Sequence, residues 1–244
     1  MDFILDVHCH TVNSGHAYST VSENAAHAAS IGFTHIGMAD HGPAMPGGAH
    51  LYHFLNLDVV PEYIHGVRVL KGVEANIISY DGELDLPKAA LARLDFVIAS
   101  LHRGVLPTAS RSSNTKALIG AAENPNVHII GHPNNIVYPI DIKAVVEAAA
   151  RTHTIIEINN HSLIPGSFRF DGDEEIVQTI NLCKEYGVKM LVSSDAHFCT
   201  GVGNFALAKQ LIEAAEVPEE LVVNTCIDRF FTAVNQKGHN PCHI

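Results

Sequence analysis

Positive charge is scarce in this 244-residue chain. Lys and Arg number 15 against 26 Asp and Glu, a net charge of −11, and they form no run. A polyanion-binding surface needs clustered cations, so the sequence argues against long nucleic acids as partners. The five cysteines (Cys9, Cys183, Cys199, Cys226, Cys242) include no C-x-x-C pair and are odd in number, which fits neither a disulfide framework nor a zinc ribbon. No apolar run approaches the roughly 20 residues of a membrane span, and the start Met1-Asp2-Phe3-Ile4 lacks the pattern of a secretory leader. The expectation is a reduced, cytoplasmic protein without a membrane partner. Low-complexity linkers and strict sequence repeats are absent, and 47% hydrophobic with 17% charged residues is ordinary globular composition. A single domain over residues 1–244 is therefore expected. There is no G-x-S-x-G elbow and no P-loop, so a serine nucleophile and an ATP cradle are unsupported.

Histidine is in excess. There are 17, more than all Lys and Arg together, and His is the commonest metal ligand. Short β-rich runs cover residues 3–7, 35–39, 68–73, 96–100, 127–130, 154–158 and 189–193, with helical periods between them. Residues 141–151 place Ile142, Val145, Val146 and Ala149 at i, i+3, i+4, i+7. Residues 173–186 do the same with Ile176, Ile180 and Cys183. Thr20 and Glu23 form a capping box for a helix closed by Gly32, Gly187 closes another, and Pro218 opens a third. Seven β-α units in series imply parallel strands with right-handed crossovers.

The strand ends decide between an open sheet and a closed barrel. Successive runs are followed by His8-Cys9-His10, Asp40-His41, Glu74, His102, His132-Pro133, Glu157 with Asn159-Asn160, and Asp195-Ala196-His197. An open sheet would spread these along a line, at roughly 4.8 Å per strand. A barrel gathers its C-terminal strand ends at one mouth, where catalytic residues of such folds sit. The expected fold is an α/β, distorted TIM-like (β/α)7 barrel, with C-terminal helices at about 218–236 packing on it. Along strand one, His8 and His10 point one way and Cys9 the other. Asp6 shares their parity, which suggests that it orients a ligand imidazole. So many imidazoles and carboxylates exceed the four ligands of one zinc and suit two or three ions, of Zn, Mn or Fe rather than Ca or Mg. Three divalent ions against Glu74 and Asp195 would make the mouth cationic and favour an anionic substrate.

The stretches Asp6-Val7-His8-Cys9-His10, His16, Ala39-Asp40-His41, Glu74, His102, Gly131-His132-Pro133 and Ser194-Asp195-Ala196-His197 resemble the motifs of the PHP (polymerase and histidinol phosphatase) superfamily. The YcdX-like branch is the nearest likeness, and it runs from Asp2 to about Phe230. The resemblance implies a barrel of seven β-α units and a trinuclear site, usually zinc. It implies that His8, His10, Glu74 and Asp195 bind one ion, that Glu74 bridges to a second shared with His102 and His132, and that His16, His41 and His197 hold the third. His16 lies in a loop and comes from the resemblance alone. Arg103 and Arg169 depart from the branch's pattern, the latter in a loop at 162–172.

The function so implied is hydrolysis of a small phosphorylated substrate, with a metal-bridging hydroxide attacking phosphorus and Glu74, Asp195 and His197 acting through the bound metal. Arg103 and Arg169 are candidate phosphate clamps, since a guanidinium fork matches phosphate oxygens. Asn159 is a candidate substrate contact or a support for the ligands. The loop at 42–56, with His50 and His53, is a candidate lid. A PHP-type phosphodiesterase or nuclease, an amidohydrolase-type barrel and a non-catalytic metal-binding protein remain as alternatives. Homo-oligomerisation is left open.

Overall fold

All seven β-rich runs become parallel strands. In the computed structural model, which describes residues 1–169 and 173–237, the strands are β1 (Leu5–Asp6), β2 (His35–Met38), β4 (Val67–Asn76), β5 (Phe96–Ser100), β6 (Ile129–Ile130), β7 (Ile155–Asn159) and β8 (Met190–Ser193). They pair in the order β1-β2-β4-β5-β6-β7-β8. The end of the loop expected at 162–172, and Cys242 in the tail, lie outside the described residues. A short strand not anticipated from the sequence, β3 (Tyr63–Ile64), pairs antiparallel with β4. His65 (φ 53°) and Gly66 (φ 79°) join them, the two positive-φ positions that a tight hairpin turn requires.

The ring is nearly closed between its first and last strands. Cys9 and Ala196 form a parallel bridge, with His10 N donating to Ala196 O at 2.9 Å. Further down the seam the Asn224 side chain does the stitching. Its Nδ2 donates to Leu5 O (3.3 Å) and Val192 O (2.9 Å), and its Oδ1 accepts from Val192 N (3.1 Å). The chain after Pro218 is shaped by this seam. It makes the 3-10 turns Glu219–Leu221 and Val223–Thr225, and α8 (Ile227–Asn235) begins only afterwards. Pro218 thus opens a 3-10 turn and not the expected α-helix, because Val222 pairs with Met190 and Asn224 is committed to the strands.

Eight α-helices occur among the described residues, and their ends follow the local chemistry. Helix α1 (Val21–Ser30) opens on the Thr20/Glu23 capping box, α5 (Ile142–Thr152) is capped by Asp141, and α6 (Glu174–Tyr186) ends at Gly187 with φ 68°.

Alternation along the strands divides the barrel into layers. Leu5, Val7, Leu70, Phe96, Ile98, Ile129, Ile155 and Leu191 form one buried cluster inside it, closed from below by Phe230, Ala233 and Val234 of α8. Phe96 and Phe230 meet edge to face at 6.3 Å. Phe96 fits because Gly37 and Gly72 carry no side chain. A methyl group on either would collide with its ring. Two to six residues further along the same faces, the inward positions turn polar, with Glu74, Asn76, Ser100, Glu157, Asn159 and Ser193 all fully or almost fully buried. The barrel is oily below and polar above, as period-two alternation with a change of composition toward the strand ends dictates.

Truncation of the plug tests this packing. Phe230→Ala should cost about 3–5 kcal/mol, the usual range for a buried phenylalanine, read as a lower midpoint in chemical denaturation. Gly72→Ala should cost about 1–3 kcal/mol through overpacking. An unchanged midpoint in both would refute the filled-barrel account.

Candidate metal centre

The polar layer converges on Glu74. This carboxylate is fully buried. Its Oε1 lies 2.8 Å from His132 Nε2 and 3.1 Å from His102 Nε2. Its Oε2 lies 2.8 Å from His41 Nδ1, 3.4 Å from His8 Nε2 and 3.6 Å from His10 Nε2. Asp195 Oδ1 is 3.2 Å from His10 Nε2 and 3.5 Å from His8 Nε2. His16 reaches the group through His41, Nε2 to Nε2 at 3.3 Å, and His197 Nδ1 lies 3.6 Å from Asp195 Oδ1. All nine side chains singled out as ligands from the sequence therefore stand in one contiguous cluster. Three overlapping sets present ligand atoms within 4.8 Å of one another: His8, His10 and Glu74; His41, Glu74 and His102; His10, His41 and His197.

The donor chemistry fits divalent cations. Buried polar groups are almost always hydrogen-bonded, yet His8 Nε2, His41 Nδ1, Glu74 Oε2 and His132 Nδ1 are buried without a hydrogen-bond partner. The His41–Glu74 approach is close but lacks hydrogen-bond geometry, so proximity there is not pairing. Lone pairs from several imidazoles and a carboxylate aimed into shared space are what a cation would satisfy.

Electrostatics point the same way. Burial alone would raise the Glu74 pKa, but His102, His8 and His41 hold it well below the usual carboxylate range. Asp195 is likewise held down against burial by Arg169 and His8. Burial, reinforced by His41, lowers His10 to about 3, so its imidazole is neutral and free to coordinate. His8 is the exception. Against burial, Glu157, Glu74 and Asp195 hold its pKa well above the ordinary value.

Supporting groups fix the rings. Glu157 Oε1 sits 2.5 Å from His8 Nδ1 and accepts from Ser193 Oγ at 2.6 Å, while Oε2 accepts from His132 N at 2.5 Å. It stands behind the imidazole of a candidate ligand, where a carboxylate fixes the tautomer and raises basicity. Asn76 Oδ1 does the same for His102 Nδ1 at 2.7 Å. Asp40 accepts from Thr11 N, Thr11 Oγ1 and Ser14 Oγ. Ser14 Oγ in turn meets His10 Nδ1 at 3.3 Å and accepts from His41 N at 3.0 Å. The sequence left Glu157 ambiguous and Asp40 without a role. The available signal was inward parity on β7 for the first, and adjacency to His41 for the second.

Asp6 corrects the parity argument. Its oxygens accept from His8 N, Ser194 N and Gly203 N, so it secures the seam and orients no imidazole. Leu5 and Val7 pack inside the barrel, and so do His8 and His10 one step later. Strict alternation therefore breaks at Val7–His8, where β1 has already ended. Cys9 does point away, packing with Ala25, Ala28 and Met38.

Backbone strain also gathers here. His132 (φ 25°) and Asp195 (φ 55°) occupy the left-handed region, at a cost of about 1–3 kcal/mol each, typical of strained positions in functional sites.

Above the cluster opens a cavity of about 420 Å³, lined by His16, His41, Glu74, His102, Asp195 and His197 and by Met45, Ile164, Phe168, Arg169 and Phe198, among others. Arg169 is buried, with Nη2 on Asp195 Oδ2. The other substrate candidates lie elsewhere. Arg103 is exposed and does not line the cavity. Asn159 donates to Glu157 Oε2 and Asp195 Oδ2, both at 3.3 Å. Of the loop at 42–56, Met45 reaches the cavity. His50 accepts from Tyr52 N at the start of α2 (Leu51–Leu55), and His53 turns to Asp40. Cys199 does not line the cavity.

Loss of a supporting carboxylate should weaken metal uptake. Glu157→Gln should lower zinc affinity about 10–100-fold, the usual effect of removing such a partner, measured by competition with a chromophoric chelator. Affinity within twofold of the parent would remove Glu157 from this role.

The comparisons with known proteins come out in agreement. Residues 6–163 match the PHP domain family. A protein of Caldanaerobacter subterraneus subsp. tengcongensis named a probable phosphatase is 50% identical, over 96% of this chain and 92% of its own. A second probable phosphatase, of Thermoanaerobacter sp. (strain X514), is 48% identical over 97% and 96%. The histidinol phosphate phosphatase of Lactococcus lactis, solved with zinc, L-histidinol and phosphate, shares the fold with a TM-score of 0.60 at 16% identity, over 88% of this chain and 94% of that one. No helix among the described residues is long and apolar enough to cross a membrane. On the family match, the near full-length relatives and the barrel that carries the motifs, this chain belongs to the PHP domain family.

Proposed function

We propose that this chain is a metal-dependent phosphomonoesterase, a hydrolase of phosphoric ester bonds, acting on a small phosphorylated substrate through three divalent ions, zinc first and manganese or iron as alternatives. The observation that carries the reading is the convergence of nine ligand-type side chains in one cluster, six of them lining an open cavity and four of their buried atoms lacking a hydrogen-bond partner. Three overlapping sets of ligand atoms lie close enough together to hold ions, and the count of three comes from the family resemblance. The name of the relatives supports the reaction, and the zinc and phosphate of the Lactococcus lactis protein support the metal and the anion.

The family resemblance divides the candidate ligands among the ions. His8, His10, Glu74 and Asp195 would hold one ion; Glu74, His102 and His132 a second; His16, His41 and His197 the third. Bound there, the ions would supply a water acidic enough to lose its proton near neutral pH and positive charge against the phosphate. Glu157 holds the His8 proton at Nδ1, which turns Nε2 toward Glu74 and Asp195. Asn76 does the equivalent for His102, and the Asp195 backbone oxygen, 2.9 Å from His197 Nδ1, for His197. Arg169 stands in the cavity wall beside Asp195. Its guanidinium can present two parallel donors to non-bridging phosphate oxygens. Met45 and Ile164 line the space above the floor.

The test is elemental analysis of protein purified without chelator or affinity-tag metal, followed by a phosphoester panel. Two to three equivalents of Zn, Mn or Fe, with turnover of phosphomonoesters well above phosphodiesters, are expected. Preferred turnover of diesters would replace the reading by phosphodiesterase, and absence of metal uptake would end it. Arg169→Ala, compared at matched metal content, should raise KM for monoesters by about tenfold or more, the worth of one charge-assisted contact. An unaltered KM would remove Arg169 from phosphate binding.

A further inference from the structure

The cavity has a polar floor, and in its walls apolar side chains stand beside Thr200, Asn204 and His161. Phe168, Phe198, Ile164 and Met45 line the space above the ligand cluster. Phe168 is 66% and Phe198 53% exposed, so neither ring serves the core. Large rings left in water at the rim of a concave site mark a surface that an apolar ligand group would cover. The charges facing that space are equally selective. Arg169 is cationic, its guanidinium carbon 5.0 Å from the Phe168 ring centroid. Among the described residues, the carboxylates that line the cavity are Glu74 and Asp195 alone, both inside the histidine cluster. His161 is half-buried, and burial lowers its pKa. A leaving group carrying an ammonium would meet Arg169 and no free anion. A polyol would leave both rings uncovered.

Resting on the phosphomonoesterase reading, we infer that the leaving-group subsite takes a flat, uncharged aromatic or heteroaromatic moiety against Phe168 and Phe198 and discriminates against amino-alcohol leaving groups. In the reaction, water oxygen bonds to phosphorus, the bond from phosphorus to the alcohol oxygen breaks, and the departing oxygen takes a proton that originates from the water. The rings act on the alcohol portion, so they govern which ester binds and leave the bond changes untouched.

The experiment uses the full chain loaded with zinc. It compares 2-phenylethyl, 2-cyclohexylethyl, glycerol and 2-aminoethyl phosphates, primary-alcohol esters of broadly similar leaving-group acidity, together with L-histidinol phosphate. The phenyl ester should lead the glycerol, aminoethyl and histidinol esters in kcat/KM by about tenfold or more, the scale set by burying one ring. It should lead the cyclohexyl ester by a smaller margin, from ring-on-ring geometry. Calorimetry should show 2-phenylethylphosphonate binding more tightly than 2-aminoethylphosphonate, a readout independent of turnover. Phe168→Ala and Phe198→Ala, both at exposed positions that the fold tolerates, should each shrink the phenyl-to-glycerol ratio through KM. Adenosine 5′-monophosphate preferred over ribose 5-phosphate would identify the moiety as a nucleobase; parity of those two, with the phenyl preference kept, would identify an aryl group. Equal turnover of the esters, or a phenyl preference that survives both substitutions, would overturn the subsite alone. Parity of phenyl and cyclohexyl esters would overturn its aromatic character. No turnover of any ester with metal bound would overturn the phosphomonoesterase reading, and the subsite with it.

Discussion

Everything in the upper half of the barrel answers to one buried carboxylate. Glu74 lies inside a nearly closed ring of strands, with imidazoles of His8, His10, His41, His102 and His132 within 3.6 Å of its oxygens. An ionised carboxylate stripped of water costs several kcal/mol unless positive charge and donors surround it. No single strand can supply them. Glu74 sits on β4, and the five imidazoles come from the ends of β1, β2, β5 and β6. The ring must close for these ends to meet, and that places the demand on the seam between β1 and β8. There the Cys9–Ala196 bridge and the Asn224 side chain do the closing.

The same alternation that aims ligands inward also builds their support. On β7, Ile155 fills the apolar layer, Glu157 braces His8 and Asn159 holds Glu157 and Asp195. On β4, Leu70, Gly72, Glu74 and Asn76 run in turn from core to room for Phe96, to candidate ligand, to support of His102. Each strand thus carries packing at its base and chemistry at its tip. Rigidity below is what allows His132 and Asp195 to sit in strained backbone above.

Floor and walls have separate origins. The floor comes from strand ends, with His16 as the loop exception. The walls come from the loops after β2, β7 and β8, which contribute Met45, Ile164 with Phe168, and Phe198. Loops vary without disturbing a scaffold, so the reaction and its specificity can change independently. The chain is acidic, at −11, and Arg169 stands against Glu74 and Asp195 in the cavity lining, so cations held by the cluster would reverse the sign there.

The sequence by itself determined the seven strands, the capped helices and eight of the nine candidate ligands from the residues alone, because period-two runs that stop on His, Asp or Glu are a local signal. His16 needed the family likeness, since a loop residue carries no periodic mark. Tertiary structure decided what depends on side chains from distant strands meeting. It assigned Glu157 to His8, 149 residues away, and Asp40 through Ser14 to His10. It turned Asp6 to backbone amides of the seam, put Arg169 in the cavity and left Arg103 outside. It also converted the chain after Pro218 into two short turns and a plug. Spacing fixes which residues share a face of one strand. Only barrel closure, through the register of every pair and the bend after Val7, fixes which faces come within reach of each other.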